Sequence, residues 1–265
     1  MNAPGASRPL RLFDAHVHLD FMREPARVAD EAEALGLALA AVTVTPDGYE
    51  RLRAEVGSRP NVACGLGLHP WWVARATAAE LEGHLEAFRR LLPRARLVGE
   101  VGLDLSPRHA DPASFGAQRE AFRRVAALAA AASDPGRPTA VSVHAVGAAT
   151  EVLDVLEETG CAERCRCVLH WYAGPSDELW RAVRMGCLVS LGGRSLATRR
   201  GREYARILPG DRLLTETDQP PGEDVAWDAG RIAASLEATL EGLGEVRGEG
   251  CRELVAANAR AWLGL

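Results

Sequence analysis

Short apolar runs alternate with longer amphipathic segments from one end of this 265-residue chain to the other, and few folds accept that alternation. A buried strand followed by a helix leads back to a parallel neighbour, so repeating the unit builds a parallel sheet covered by helices. Eight strand candidates are legible: Leu10 to Val17, Leu39 to Thr45, Val62 to Leu68, Leu97 to Val101, Thr139 to His144, Cys167 to His170, Cys187 to Leu191 and Arg212 to Thr215. The segments between them place apolar residues at three- and four-residue spacing, as do Phe115, Phe122, Val125 and Leu128 behind the N-cap candidate Ser114.

Length alone would admit two domains, but α/β barrels run to about 250 residues as one unit. With no Gly/Ser linker, composition break or internal repeat, the pattern predicts an α/β chain folded as a single TIM-like (β/α)8 barrel over residues 10–265. Residues 1–9 hold one arginine and no apolar core; they read as a disordered tail, neither signal peptide nor anchor. The segment from Glu249 to Leu263 carries Cys251, Leu254, Val255 and Trp262 on one side and reads as a closing helix. Two long irregular stretches, Gly102 to Pro112 and Gln219 to Trp227, follow strands, which places them on the C-terminal face where barrel enzymes carry their active sites.

Formal net charge is −5 with both signs interspersed, so no basic tail or stripe advertises nucleic-acid binding and a polyanionic substrate must be held locally. The chain has no lysine; all 31 basic residues are arginine. That removes Schiff-base chemistry and any lysine-derived metal bridge. Of the six cysteines, Cys64, Cys167 and Cys187 sit inside apolar strand-like runs. Cys161, Cys165 and Cys167 cluster without a fourth ligand nearby, and read as buried or loop thiols rather than a zinc site. No apolar run is long enough to span a bilayer, and the thiols fit a reducing, cytoplasmic compartment.

Side chains alternate along a strand, so His16 and His18 point the same way, and on a barrel strand that way is inward. Taken alone, two such histidines read as core or surface residues. The company they keep changes this: Glu100, His144 and His170 close strands four, five and six, and Asp218 lies just past strand eight. Burying Glu100 and Asp218 without cations would cost several kcal/mol each. Without lysine the cations are arginine or metal, and a metal satisfies imidazoles and carboxylates together. Six ligands exceed one tetrahedral ion and leave room for two. The expected arrangement has Glu100 bridging, His16, His18 and Asp218 holding one ion, and His144 and His170 the other. Such a pair of divalent ions (Mg²⁺, Mn²⁺ or Zn²⁺), roughly 3.5 to 4 Å apart, clamps attacking and leaving oxygens and generates hydroxide at neutral pH, with Asp218 as a proton acceptor beside Glu100.

Asp14-Ala15-His16-Val17-His18-Leu19-Asp20, Gly67-Leu68-His69-Pro70, Gly99-Glu100-Val101-Gly102-Leu103-Asp104, His170-Trp171-Tyr172-Ala173-Gly174 and Thr215-Glu216-Thr217-Asp218 together resemble the motif set of the TatD family, metal-dependent deoxyribonucleases of the amidohydrolase superfamily. The likeness runs from Phe13 to Asn258-Ala259-Arg260. It implies a TIM-like barrel, a two-metal site with the ligands above, and phosphodiester hydrolysis, typically from the 3′ end of DNA, preferably single-stranded or end-containing. Leu105-Ser106, Ala145 after His144, and Gln219-Pro220-Pro221 after Asp218 depart from the usual pattern. With Thr43-Val44-Thr45-Pro46 and His170-Trp171-Tyr172 they look most like the TatD-like nuclease of Qat anti-phage systems, which implies a bacterial host and partner subunits.

Four rim residues read as substrate contacts, each beside a plainer account. His69 is placed for a phosphate or for a structural cap. Trp171 or Tyr172 suits base stacking, though parity lets only one face the pocket. Arg194 suits a phosphate clamp or open solvent. Asp14, Asp20, Asp104 and Glu216 read as partners of the ligands rather than ligands. Two rival readings share the pocket: hydrolysis of an amide or ester carbonyl, such as an aminoacyl bond, and a catalytically dispensable scaffold subunit of a defence complex.

Overall fold

The computed structural model describes residues 10–106, 114–248 and 250–265; the expected N-terminal tail and residues 107–112 of the first irregular stretch lie outside them. Eight strands alternate with twelve α-helices among the described residues: β1 Leu12–Val17, α1 Pro25–Leu35, β2 Leu37–Ala41, α2 Pro46–Val56, β3 Val62–Leu68, α3 Pro70–Arg75, α4 Ala78–Leu91, β4 Leu97–Asp104, α5 Phe115–Ala132, β5 Ala140–Val146, α6 Ala149–Glu158, α7 Cys161–Arg164, β6 Arg166–Leu169, α8 Ser176–Arg184, β7 Leu188–Leu191, α9 Gly193–Leu196, α10 Arg199–Ile207, β8 Leu213–Thr215, α11 Ala229–Arg247 and α12 Cys251–Leu263.

All strand pairs are parallel and the strand order is the sequence order, β1 through β8, as a TIM-like (β/α)8 barrel requires. The seam between β8 and β1 is drawn together partly by side chains. Thr215 Oγ1 donates to the Phe13 carbonyl (3.4 Å), Asp218 N to the His16 carbonyl (2.9 Å), and the Asp14 carboxylate accepts from Thr217 N and Oγ1 (3.0 and 2.5 Å).

Local chemistry starts and stops the helices where the strands need them. Proline occupies the first turn of α1, α2 and α3, where its missing N–H costs nothing. Thr77 and Glu80 form a capping box on α4, and Gly36 ends α1 in the left-handed region (φ 71°), which turns the chain directly into β2. Ser114 stands at the N-cap of α5 as expected, but its hydroxyl accepts from the Gln118 side chain instead of a backbone N–H.

Apolar side chains form two layers. An outer layer between sheet and helices includes Val17, Leu39, Leu66, Val101 and Leu169. The barrel interior holds Phe13, Ala15, Ala38, Ala40, Val42, Leu97, Val168 and Leu214, and α12 packs beneath it with Ala256, Ala259 and Trp262. Glu249 is outside the described residues, but from Cys251 onward the expected closing helix is where the sequence put it. Trp262 is 1% exposed and its Nε1 donates to the Arg166 carbonyl (2.7 Å), tying the plug to the start of β6.

Strand bounds differ from expectation mainly in β2 and β4. β2 spans Leu37–Ala41, and Thr43 to Thr45 lie beyond it, where Thr45 caps α2 by accepting from Gly48 N (3.1 Å). β4 runs on to Asp104, because Gly102, Leu103 and Asp104 pair with His144, Ala145 and Val146, so the start of the expected irregular stretch is strand. No helix among the described residues is long and apolar enough to cross a membrane.

Gly67 carries a constraint that reaches the barrel mouth. A Cβ there would sit 1.6 Å from the Thr43 carbonyl oxygen, and that same oxygen accepts from Glu100 N (2.8 Å). Gly67→Ala should therefore cost ~2–3 kcal/mol through forced backbone displacement, a fall in Tm of ~4–12 °C for a domain of this size by thermal unfolding. A Tm within a degree of the parent would show that the contact is not limiting.

Candidate metal centre

Strict alternation along β1 and β4 would not deliver both His16 and Glu100 to the interior. Phe13 and Ala15 face inward and Val17 outward, so His16 would face the helices if the alternation were unbroken. The register slips between Asp14 and Val17 in β1 and between Val98 and Val101 in β4. Each slip lets one extra residue turn in, as bulges beside functional sites do. Asp218 enters from beyond β8 with a left-handed backbone (φ 49°), an uncommon conformation for a residue with a side chain.

The six expected ligands converge, and the Glu100 carboxylate lies at their centre. Its Oε2 is 3.4 Å from His16 Nε2 and 3.4 Å from His18 Nε2. Asp218 Oδ1 lies 3.7 and 3.5 Å from the same two nitrogens. The other oxygen, Oε1, is 2.6 Å from His144 Nδ1, 2.7 Å from His170 Nε2 and 3.3 Å from His69 Nε2. The two oxygens of one carboxylate thus address two different histidine groups.

Each of the four expected histidine ligands is backed by a second polar group at its other nitrogen. His16 Nδ1 is hydrogen-bonded to Ser142 Oγ (2.8 Å) and His144 Nε2 to Asp104 Oδ2 (3.0 Å). Asp20 Oδ1 stands 3.5 Å from His18 Nδ1, and Glu216 Oε1 stands 3.8 Å from His170 Nδ1. Backing groups of this kind fix which nitrogen looks inward and raise its basicity. Asp104 is itself held by Trp71 Nε1 (2.7 Å) and Ser106 N (2.7 Å), and Glu216 by Ser190 Oγ (2.5 Å). The contacts of Asp20, Asp104 and Glu216 fit their sequence reading as partners of the ligands, whereas Asp14 accepts from the His16 backbone N (3.1 Å) and from Thr217 and reaches no ligand ring.

Electrostatics argue for a cation in the gap. Burial alone would raise the Glu100 carboxyl, but His69, His170 and His16 hold it well below the usual glutamate range, aided by the hydrogen bond from His144. Burial would also raise Asp218, but His18, His16 and His170 keep it below its ordinary value. Burial pulls His69 down to about 4 and lowers His16. His18, His144 and His170 are pushed up despite burial by the carboxylates around them. Among the described residues no arginine forms an ion pair with Glu100, Asp218, Asp20, Asp104 or Glu216. His16 Nε2 is buried, faces two carboxylates, and is hydrogen-bonded to neither. A nitrogen lone pair and two anionic oxygens around one gap fit a divalent cation, which accepts from all three. Among the described residues, three sets of ligand atoms, each mutually within 4.8 Å, can hold an ion: His16, His18 and Asp218; His16, His170 and Glu216; His69, Glu100 and His144.

A model of the TatD-related DNase family matches residues 13–264. The chain belongs to that family. The uncharacterized metal-dependent hydrolase TatD of Mycobacterium tuberculosis is 32% identical over 274 residues, spanning 96% of this chain and 98% of its own. The 3′-5′ ssDNA/RNA exonuclease TatD of Enterobacter lignolyticus is 30% identical over 218 residues, 79% of each chain. The crystal structure of the Escherichia coli K12 TatD homologue YJJV superposes with a TM-score of 0.78 at 22% identity, over 97% of this chain and 99% of that one, a likeness of fold.

Of the four rim residues, His69 sits closer to the centre of the TatD-family site than the sequence suggested. Its Nδ1 accepts from Trp71 N (3.1 Å), capping α3, while Nε2 looks at Glu100. Both readings of His69 therefore describe part of it, and its contact with Glu100 was missed because a cap and a ligand neighbour leave the same sequence trace. Trp171 lies half-buried at the rim with the Arg194 guanidinium 5.0 Å over its ring. Tyr172 is buried, and its hydroxyl donates to the Pro175 carbonyl (2.7 Å), so it packs beneath the loop and leaves Trp171 as the more open of the two. Cys161, Cys165 and Cys167 are buried free thiols; Cys165 is raised by its hydrogen bond with Cys161 and by burial, while Cys161 and Cys167 are raised against lowering hydrogen bonds from Cys165 and Cys161 respectively.

Because the backing carboxylates aim the ligand nitrogens, Asp104→Asn and Glu216→Gln should each weaken divalent-metal affinity ~10–100-fold while the fold survives. Calorimetric titration with Mn²⁺ or Zn²⁺ checks this, and parent-like affinity in both variants would refute the assigned aiming role.

Proposed function

We propose that this chain is a two-metal phosphodiesterase of the bacterial cytoplasm that removes nucleotides from the 3′ end of DNA. The observation that carries the reading is the division of Glu100: Oε2 faces His16, His18 and Asp218, while Oε1 faces His144 and His170. A bridging carboxylate must present its oxygens in this way. Divalent ions held there would polarise a phosphoryl oxygen and make water acidic enough to act at neutral pH.

The chain's own residues supply position and proton transfer. Asp218 is ionised, and its side chain, 25% exposed, is the most open of the six proposed ligands. Its carboxylate is placed to take a proton from the attacking water. His69 is clamped between the α3 N-terminus and Glu100, available to a phosphate oxygen at the floor of the mouth. Trp171 offers a face to a terminal base, with Arg194 against the ring as a partner for the phosphate. This local arrangement reconciles a polyanionic substrate with a net charge of −5: two ions contribute roughly +4 where the phosphate arrives. Support for nucleic acid as substrate comes from family membership and from the exonuclease named among the relatives. The departures at Leu105-Ser106, Ala145 and Gln219-Pro220-Pro221, read with Thr43-Val44-Thr45-Pro46 and His170-Trp171-Tyr172, are the likeness that supports service in a Qat-like anti-phage system.

With Mn²⁺ or Mg²⁺, a 5′-labelled single-stranded oligonucleotide should be shortened stepwise from its 3′ end, and a chelator should abolish the ladder. Asp218→Asn and His16→Ala should lose at least ~10²-fold in rate through the missing base or ligand. Hydrolysis of ester or dipeptide substrates with intact oligonucleotides would assign the carbonyl reading instead. Full phage protection by Asp218→Asn in cells would favour the scaffold.

A further inference from the structure

Three of the six tryptophans, Trp71, Trp72 and Trp171, closely follow β3 or β6 and stand on the mouth side of the barrel. Trp171 lies against Arg194, and Trp71 is committed through Nε1 to Asp104 Oδ2 (2.7 Å). Trp72 meets other rings instead. Its indole stands edge-on to the His69 ring (centroids 5.5 Å apart, planes at 81°) and beside Phe21 (6.5 Å, 30°). Phe21 in turn stacks on the His18 ring (4.6 Å, 10°). An aromatic column thus climbs from one of the expected metal ligands to the rim. Rings that only pack, such as Phe88 and Trp262, are at most 1% exposed, whereas Phe21 and Trp72 are half-buried, so part of each ring is open to a ligand. The strand order sets this column across the mouth from Trp171. Phe21 follows β1 and Trp72 follows β3; β6, which leads to Trp171, lies half a circumference from β2, the strand between them. Beyond Trp72 a cleft of about 500 Å³ gives a chain room to leave the mouth, and its walls include Asp47, Arg75, Glu80 and His84.

We propose that Phe21 and Trp72 form a stacking platform for the base of the nucleotide on the 5′ side of the scissile phosphate. The inference rests on the nuclease reading of the same mouth and extends it: Trp171 takes the terminal base, this column takes the base before it, and the strand is gripped on both sides of the cut. The rings touch His18 and His69, so a base resting on them belongs to a nucleotide joined directly to the phosphate at Glu100. The cleft beyond mixes acid and base, Asp47 and Glu80 with Arg75 and His84, and offers the backbone little net attraction. The hold on this side is therefore stacking, which every base supplies and which is tolerant of sequence.

The test uses the full, metal-loaded chain and short 5′-labelled single strands. An abasic residue 5′ of the scissile phosphate should raise KM about tenfold in the parent, with kcat within about threefold because the reacting atoms are untouched. Trp72→Ala should show the same rise on the intact strand, and there the abasic residue should add no more than about twofold. Trp72→Phe should restore most of the loss, and Phe21→Ala should repeat it, with Mn²⁺ affinity measured alongside because that ring touches His18. The ratio of intact to abasic KM should hold between about 50 and about 200 mM salt, since stacking releases no counterions. An abasic residue at the 3′ terminus should keep its penalty in Trp72→Ala. The platform is overturned if the parent does not distinguish the strands, if Trp72→Ala still does, or if Trp72→Ala erases the penalty at the 3′ terminus instead. Anisotropy of a phosphorothioate-linked strand, which resists cleavage, separates this from the nuclease reading. Base-dependent binding without cleavage of the ordinary strand would sustain the platform and sink the nuclease, cleavage indifferent to the base would sink the platform alone, and absence of binding would sink both.

Discussion

A glutamate buried at the mouth of a barrel, with no arginine among the described residues to neutralise it, sets the terms for everything around Glu100. Its carboxylate is 2% exposed, and taking such a charge out of water is affordable only if opposite charge is supplied at close range. Here the supply is imidazole and, by the fit of the donor set, metal. Arginine is abundant in the chain, yet among the described residues it pairs with carboxylates on the outer surface or stacks at the rim. Among the described residues no guanidinium pairs with these carboxylates, which keeps the inward-facing lone pairs free, because a neighbouring arginine would satisfy the same oxygens that an ion must bind. The abundance of acids around the histidines follows from the same constraint. Asp20, Asp104 and Glu216 hold rings whose inward nitrogens must stay available.

The barrel makes this arrangement possible through departures from its own regularity. Register slips in β1 and β4 turn His16 and Glu100 inward, Gly67 lets the Thr43 carbonyl reach Glu100 N, and the left-handed backbone of Asp218 folds its carboxylate back over the seam. Regular strands supply the frame, and the local irregularities supply the chemistry. Asp14 joins the two: it bonds His16 N and Thr217, linking the first strand to the last beside the ligands. Burial pushes its carboxyl up to about 7 against those hydrogen bonds.

Much of this was readable in the chain. Eight strands, their order and the closing helix follow from period and punctuation, because a parallel barrel buries both faces of its strands and so writes them as apolar runs. Glu100 and the five expected ligands around it were legible because each lies at or near the end of an expected strand or just past it, and strand ends of a barrel share one rim. The bulges were not legible: one slipped residue changes which side chain faces inward without changing composition. The extension of β4 to Asp104 was hidden by Gly102, whose positive φ and close approach to the His144 carbonyl fit a strand that tolerates no side chain there. His69 was placed on the right face, but its reach to Glu100 depends on a ring orientation set by Trp71 N, which no spacing reveals.

The plug formed by α12 and Trp262 has a transport consequence. A barrel closed underneath is a blind vessel with a single door. Nothing that enters at the mouth can be threaded through and discharged below, so whatever is cleaved there must leave by the way it came. Turnover in such a vessel is governed by traffic at the doorway, where Trp171 and Arg194 stand, as much as by the events at its floor.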